Sequence, residues 1–437
     1  VVTGRYTIPE DRLYREYLDL VKKLNPNIKD LDLIHPGQVI RLPIYSPQVV
    51  RRPIEKAPPP PQAQKEEAAG EPQIEKLTRM AGDLAAIFRE MGEEWVQTGK
   101  HFIPLKSGGQ VDLRAESFPL LNLRSGMQVI VDLHNRLPQK LARLIGASWQ
   151  NYRVVHLYAG DDLRTAFDRV VRACNYPRIF RKGEALEMEG DMGFKIRGDW
   201  IIALGQGDGG KEPAVAVINI HTQGNRASSC PGVLRSYLEG VGVKLIDYPP
   251  PEGDRSNLGE EDVEVLQGGD DPASLIGQAL DLAGHEYSSQ VEIPVYQSRQ
   301  KDFKLIIKAD FSLKAHGKDA IISLHDLGQE VVSLLKEQGF EVLSLWDESD
   351  PLAMISRTLK FIGLDCRKGP HVFTASEQGG SREIALTLPG VLFNDAEGKP
   401  VLATKLNLPG EIAAFLSQKG YRVLRLTPLS TGDVQHS

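Results

Sequence analysis

Apolar and polar positions follow one another in a recurring order that predicts helices and strands in a fixed succession. A helical pattern of about a dozen residues comes first and ends at Gly92, Asn175, Gly284 or Gly363, residue types that favour a helix C-terminus. Two partly alternating strands follow, as in residues 303–311, and then a Gly-containing turn and an apolar strand. A second amphipathic helix and a final apolar strand complete the pattern. This succession predicts an α/β fold with mixed sheets.

The pattern repeats along the chain. Gly339 and Gly420 are 420 − 339 = 81 positions apart, as are Gly328 and Pro409. Weaker matches extend the repeat toward the N-terminus, so we predict four tandem α/β repeat units at residues 76–158, 161–248, 270–348 and 350–427. In each unit the last two strands should form a parallel crossover, and helices should cover one or both faces of the sheet.

Residues at the predicted helix starts support this organisation. The second helix of each unit begins near Pro or Gly, namely Pro138, Pro231, Gly328 and Pro409. Acidic residues precede the first helix in three units, namely Asp161, Asp162, Asp270, Asp271 and Asp350. Their recurrence predicts capping of helix N-termini rather than acid–base catalysis.

Two segments of biased composition predict linkers. Residues 46–75 contain four consecutive prolines at 58–61, which favour an extended or flexible tether. Residues 249–269 are acidic and rich in Gly and Pro, and they predict a surface loop between the second and third units.

The N-terminal stretch 24–43 reads LNPNIKDLDLIHPGQVIRLP. A helix at 14–24 runs into Asn-Pro, a loop with apolar anchors follows, and Pro-Gly-Gln leads into a short strand. This order resembles the second half of a LysM module, a small fold that binds glycans containing N-acetylglucosamine, such as peptidoglycan or chitin. The resemblance covers residues 1–45 at most and implies a glycan groove formed by Asn25, Pro26, Asn27, Ile28, Leu33 and Ile34.

The first strand and turn of a LysM module have no counterpart here. Residues 1–6 resemble the middle of its first helix, and neither an initiator Met nor a signal peptide is present. We therefore expect a partial module with a trimmed or truncated N-terminus.

Composition narrows the function classes. A net charge of −6 gives no basic footprint for nucleic acid, so no nucleic-acid partner is expected. No apolar run is long enough for a transmembrane segment. Cys174, Cys230 and Cys366 are too few and too far apart for a disulfide framework or a metal pair, and we interpret them as buried thiols.

The motifs that could carry chemistry give little support for catalysis. Residues 205–210 fit G-x-G-x-x-G, but a second strand follows where a dinucleotide site needs a helix, so we interpret them as a hairpin. His134, His221 and His325 follow apolar strands at the sheet edge where ligands bind in open α/β sheets. We interpret them as capping or loop residues, because the fourth unit has no histidine there and no metal-binding spacing occurs.

We therefore expect no cofactor, no metal site and no catalytic residue. The hypothesis is a non-catalytic binding and scaffold protein of the bacterial cell envelope, periplasmic or extracellular, anchored to peptidoglycan through the LysM-like module. The repeat units would bind another envelope protein or self-associate. Two alternatives stay open. One is a peptidoglycan-active hydrolase or deacetylase using His325 with Asp326, or His221 with Cys230, and the other is a self-assembling structural surface protein.

Overall fold

The computed structural model describes residues 19, 21–26, 40, 71–106, 108–205, 214–221, 230–250, 265–297, 304–376 and 382–428. The chain divides into two compact units, residues 1–68 and 69–437. In the first unit, residues 21–24 are helical and the helix ends at Asn25, as the sequence predicts. The buried Asn25 side chain closes this end, because its Nδ2 donates to the Val21 carbonyl at 2.8 Å. The other LysM-like residues apart from Pro26, namely Asn27, Ile28, Leu33 and Ile34, lie outside the described residues.

The second unit alternates helices and strands. The described helices are α1 (Glu71–Glu90), α2 (Gln139–Ser148), α3 (Leu163–Ala173), α4 (Gly232–Gly240), α5 (Pro272–Leu282), α6 (Gly328–Glu337), α7 (Pro351–Phe361) and α8 (Gly410–Gln418). The strands of its N-terminal half are β1 (Glu94–Val96), β2 (Lys100–Pro104), β3 (Gln110–Arg114), β4 (Leu120–Asn122), β5 (Gln128–Asp132), β6 (Tyr152–His156), β7 (Arg178–Ile179), β8 (Leu186–Met188), β9 (Gly193–Arg197), β10 (Trp200–Ala203), β11 (Val215–Ile220) and β12 (Val243–Tyr248). Those of its C-terminal half are β13 (Val265–Gln267), β14 (Tyr287–Gln297), β15 (Lys304–Ala315), β16 (Lys318–Ser323), β17 (Glu341–Ser344), β18 (Cys366–Ser376), β19 (Glu383–Asn394), β20 (Pro400–Thr404) and β21 (Arg422–Arg425).

The strands form mixed sheets, which confirms the predicted α/β class. Sheet I has the order β1-β4-β5-β6, sheet II β7-β10-β11-β12, and sheet III β14-β15-β16-β17. Sheet IV contains β18-β19-β20-β21. In each of these four sets the first two pairings are antiparallel and the last is parallel. The parallel pair is connected through a helix in every case, as such a connection requires.

Helices cover both faces of each sheet. Successive residues of a strand point to opposite sides of the sheet, so one strand contributes side chains to two cores. On β5, Val129 and Val131 face a core shared with α1, α3 and sheet II, whereas Ile130 faces α2. A second core joins sheets II and IV through α4 and α8, and a third joins sheets IV and III through α7 and α5. The remaining face of sheet III packs on α6. The sheets therefore stack in the order I, II, IV, III.

β8 and β9, which precede β10 of sheet II along the chain, extend sheet IV beyond β19. β9 pairs antiparallel with β19, with Gly193 opposite Thr387 and Ile196 opposite Ile384. On its far side, sheet IV gains β13, which runs parallel to β21. β13 lies within the segment 249–269 that we predicted as a linker, so that prediction is wrong for residues 265–267. The three residues Val-Leu-Gln pair with an otherwise open edge strand, a tertiary contact that local composition does not reveal.

The helix termini match the sequence predictions closely. Asn175 has φ +52° and Gly284 φ +66°, the left-handed conformation expected after a helix C-terminus. Pro138, Pro231 and Pro409 occupy the N-cap positions of α2, α4 and α8.

The three cysteines are buried thiols, as predicted. Burial and the nearby Glu93 carboxylate raise the pKa of Cys174, which keeps this thiol protonated and unreactive at neutral pH.

Candidate functional site

The carboxyl ends of the parallel strands are the first place to look for a ligand site in an α/β protein. In sheets I to IV the third strand ends near a fully buried polar residue, and these residues are Asp132, Asn219, Ser323 and Thr404, each 0% exposed. None of these four residues was predicted as a site residue from the sequence. The available signal was a polar residue that follows an apolar run near the end of each of these four strands. In the first three units this residue stands two positions before the predicted histidine.

In sheet I, Asp132 organises the loop that leads into α2. Its carboxylate accepts hydrogen bonds from the backbone N–H groups of Arg136 at 3.0 Å and Leu137 at 2.8 Å. His156, at the end of the parallel partner strand β6, has its Nδ1 2.9 Å from Oδ2 of the same carboxylate. Such an Asp–His contact fixes the orientation of an imidazole, the geometry in which a histidine can act as a base. The predicted residue His134 lies beside this pair, and its pKa is lowered, mainly by burial.

Sheets II and III share a different arrangement. Asp199 Oδ2 accepts the Ile220 N–H at 3.2 Å, and Asp310 Oδ2 accepts the Leu324 N–H at 2.6 Å. A carboxylate just before the second strand of sheet II, and one within the second strand of sheet III, therefore hold the backbone at the end of the third strand. These hydrogen bonds stabilise a loop and leave the carboxylates committed to structure.

The most strongly charged cluster surrounds Asp247 at the end of β12. Arg382 donates to both carboxylate oxygens, at 2.6 and 2.9 Å, and Arg235 donates to Oδ2 at 2.7 Å. The side chains of Arg382 and Asp247 are 1% and 4% exposed, so this bidentate pair is removed from water. Arg382 precedes β19 of sheet IV, whereas Asp247 belongs to sheet II, so the ion pair connects the two sheets.

Burial alone would raise the pKa of Asp247, but Arg382 and Arg235 outweigh it and hold the pKa below its ordinary value. The predicted residue His221 contacts this cluster, with its Nε2 3.5 Å from Asp247 Oδ1. His221 is thus placed beside a carboxylate that two arginines already neutralise, which is a poor setting for a general base.

The other residues proposed for catalysis serve structural roles. Asp326 accepts the Gly328 N–H at 2.9 Å and so holds the start of α6. The His325 side chain is 81% exposed, and its Nε2 lies 3.5 Å from Asp310 Oδ1. No described contact joins it to the Asp326 carboxylate. Cys230 is buried, and its thiol donates to the Pro231 carbonyl at 3.7 Å. His134, His221 and His325 lie in loops as interpreted, but the hydrogen bonds that shape these loops come from Asp132, Ser323 and Asp326 rather than from the histidine side chains.

No group of three or more His, Cys, Asp or Glu side chains within the described ranges could hold a metal ion. No described helix is long and apolar enough to cross a membrane. No family model, no curated protein and no solved structure matches this chain. The function must therefore be argued from its own residues.

The Asp132 contacts lead to a first prediction. Replacing Asp132 with Ala leaves the buried Leu137 N–H and the partly buried Arg136 N–H without their acceptor, so we expect the free energy of unfolding to fall by about 2–3 kcal/mol. Asp132→Asn keeps one acceptor oxygen and should lose less. Urea denaturation of both variants measures the difference, and an unchanged midpoint for Asp132→Ala would contradict the assigned role.

The N-cap aspartates provide a pH test. Asp162, Asp271 and Asp350 accept backbone N–H groups at the starts of α3, α5 and α7, which confirms the predicted capping. Burial raises the pKa of Asp350, but ion pairs with Lys405 and Lys368 and the Leu352 N–H outweigh it and lower the pKa from 3.8 to about 2.

Because the folded-state pKa is depressed, Asp350 contributes stability above pH 3.8 that is lost as the pH falls through about 2. We expect Asp350→Asn to flatten the acid side of the stability profile, measured by thermal unfolding between pH 2 and 7. Asp347→Asn, which removes one negative charge from a side chain that is 62% exposed, is the matched control.

Proposed function

We propose that this protein is a non-catalytic binding and scaffold protein of the bacterial cell envelope, anchored to peptidoglycan or a related N-acetylglucosamine glycan. The observation that carries the proposal is the LysM-like stretch 24–43, with Asn25, Pro26, Asn27, Ile28, Leu33 and Ile34 as the glycan-binding residues. The helix that ends at the buried Asn25 is consistent with this resemblance. The protein would act in the periplasm or outside the cell.

The repeated units form the scaffold of this proposal. We infer that sheets I to IV arose by duplication of one unit, at residues 76–158, 161–248, 270–348 and 350–427. Their common strand directions support this inference, as does the shared position of Asp132, Asn219, Ser323 and Thr404. The buried residue at this position is polar in all four units, but its chemical type differs from unit to unit. This variation suits a binding scaffold better than a catalytic centre shared by the units. Their partner would be another envelope protein or a second copy of the chain.

Co-sedimentation with purified peptidoglycan sacculi tests the anchor. We expect the whole chain to pellet with sacculi and a chain of residues 69–437, which form a compact unit of their own, to stay in solution. The double variant Asn27→Ala, Ile28→Ala should also lose pelleting. Equal pelleting of all three proteins would place glycan binding elsewhere, and no pelleting of the whole chain would refute the anchor.

The Asp132–His156 pair favours a second candidate, a peptidoglycan hydrolase or deacetylase. A buried carboxylate that orients an imidazole at a sheet edge can support general base catalysis. Release of soluble fragments or of acetate from sacculi, abolished by His156→Gln, would support this activity. Absence of both products at high protein concentration would exclude it.

A further inference from the structure

A cleft of about 530 Å³ lies between α5 and the hairpin of β14 and β15. This volume is within the range of small-molecule sites and is enough for one or two sugar rings. The helix contributes Ser274, Gln278 and Asp281, and the strands contribute Tyr287, Ser289 and Asp310. This cleft is separate from the LysM-like stretch and from the carboxyl-end clusters around Asp132 and Asp247.

The walls of the cleft are held in place before any ligand arrives. Gln278 donates from Nε2 to the Gln267 carbonyl at 2.7 Å and accepts the Gly269 N–H through Oε1 at 3.1 Å, which fixes α5 to the end of β13. A Cβ at Gly277 would lie 3.1 Å from the Tyr287 hydroxyl, so glycine allows the ring to approach the helix closely. Pre-organised walls reduce the entropy cost of binding.

The strand side of the cleft departs from regular geometry at one residue. Gln290 has φ +52°, an unusual value for a residue with a side chain. Its neighbours Ser289 and Val291 pair with Phe311 and Ala309, whereas Gln290 and Asp310 make no ladder pair. The break lies in the wall of the cleft, because both Gln290 and Asp310 line it. Strained backbone of this kind is often retained at ligand sites.

The chemistry of the lining selects the class of ligand. Amide, hydroxyl and carboxylate groups surround the cleft, and none of its described lining residues is Lys, Arg or His. Phosphates and other anions are therefore disfavoured, whereas hydroxyl and ammonium groups find acceptors. Tyr287 and Phe311 add aromatic surface, with ring centroids 5.5 Å apart at 69°. Burial and Asp281 raise the pKa of Tyr287, so its hydroxyl stays a proton donor.

We propose that this cleft binds a saccharide of one or two rings, with an amino group of the sugar placed near Asp281. Polar groups that both donate and accept suit ring hydroxyls, aromatic surface packs against sugar C–H groups, and the Asp281 carboxylate attracts the ammonium group. The site does not depend on the proposed LysM-like anchor, since all of the residues that form it belong to residues 265–311.

The test measures binding of a glucosamine disaccharide with free amino groups to the whole chain, by isothermal titration calorimetry and saturation-transfer NMR. Ser289→Trp fills the cleft from an exposed position, and we expect affinity to fall at least tenfold. Ser288→Trp places the same side chain on the opposite face of β14 and should bind like the wild type. Equal binding by all three proteins, or no binding by the wild type, would overturn the proposal.

A second variant removes only the negative charge of Asp281. Asp281→Asn preserves the shape of the side chain, so it tests the site without relying on a bulky substitution. It should weaken the free-amine disaccharide several-fold and leave its N-acetylated form nearly unchanged. Equal losses for both sugars would refute the placement of the amino group. Sacculus pelleting that persists in Ser289→Trp while the disaccharide affinity falls would separate this cleft from the anchor.

Discussion

Replacing Asp247 with Ala should reduce the free energy of unfolding by about 3–5 kcal/mol, the usual cost of breaking a buried ion pair from one side. Arg382 is 1% exposed and would keep its charge in a dry environment without the carboxylate that it contacts through two hydrogen bonds. Because Asp247 and Arg382 belong to sheets II and IV, the loss should loosen the contact between the two halves of the stack. Hydrogen exchange should therefore rise on β9 and β19 before the outer sheets I and III.

A double variant separates the burial of charge from the pairing itself. Asp247→Leu combined with Arg382→Met removes both charges and fills similar volume, so we expect it to recover most of the stability lost in Asp247→Ala. Arg235, whose side chain is 27% exposed, can turn toward solvent in that background. Chemical denaturation of the single and double variants measures the coupling. Equal destabilisation of both would contradict this explanation.

The second large effect is expected at Phe167 on α3. Its ring is fully buried between Phe88 on α1, with centroids 5.4 Å apart, and Trp200 on β10, at 5.1 Å. Phe167→Ala would leave a cavity in the core that joins sheets I and II, at a cost of about 3–5 kcal/mol. Phe167→Leu retains most of the volume and should cost about half as much. Thermal unfolding gives both values, and a loss below about 1 kcal/mol for Phe167→Ala would show that the core relaxes around the gap.

Helix ends and strands could be predicted from the sequence, because residues close together along the chain determine them. Asp271 before Pro272 caps α5, and Gly284 ends that helix in a left-handed conformation, as the sequence indicated. The alternation of apolar and polar residues along β15 likewise predicted a strand.

The order of the sheets in space could not be predicted. Each helix has one apolar stripe, and the composition of that stripe does not indicate which sheet the helix packs against. The pairing of α4 with α8 depends on side chains such as Leu234 and Phe415 meeting across a sequence distance of about 180 residues. For the same reason the Asp247–Arg382 pair was missed, since neither residue stands in a motif. The LysM-like residues beyond Pro26 stay a prediction, because they lie outside the described residues.

The register between β9 and β19 is reciprocal with respect to the proposed duplication. Trp200 and Val391 are the first residues of β10 and β19 to pair with the following strand. Matching them gives an offset of 391 − 200 = 191, which matches positions 193 and 196 with 384 and 387. Gly193 pairs with Thr387, and Ile196 pairs with Ile384, so each position meets the counterpart of the other. Such reciprocal pairing is the mark of a two-fold axis and of an isologous contact between identical chains. Under the proposed duplication, β9 and β19 would have met in a homodimer of a shorter chain before fusion joined the two copies.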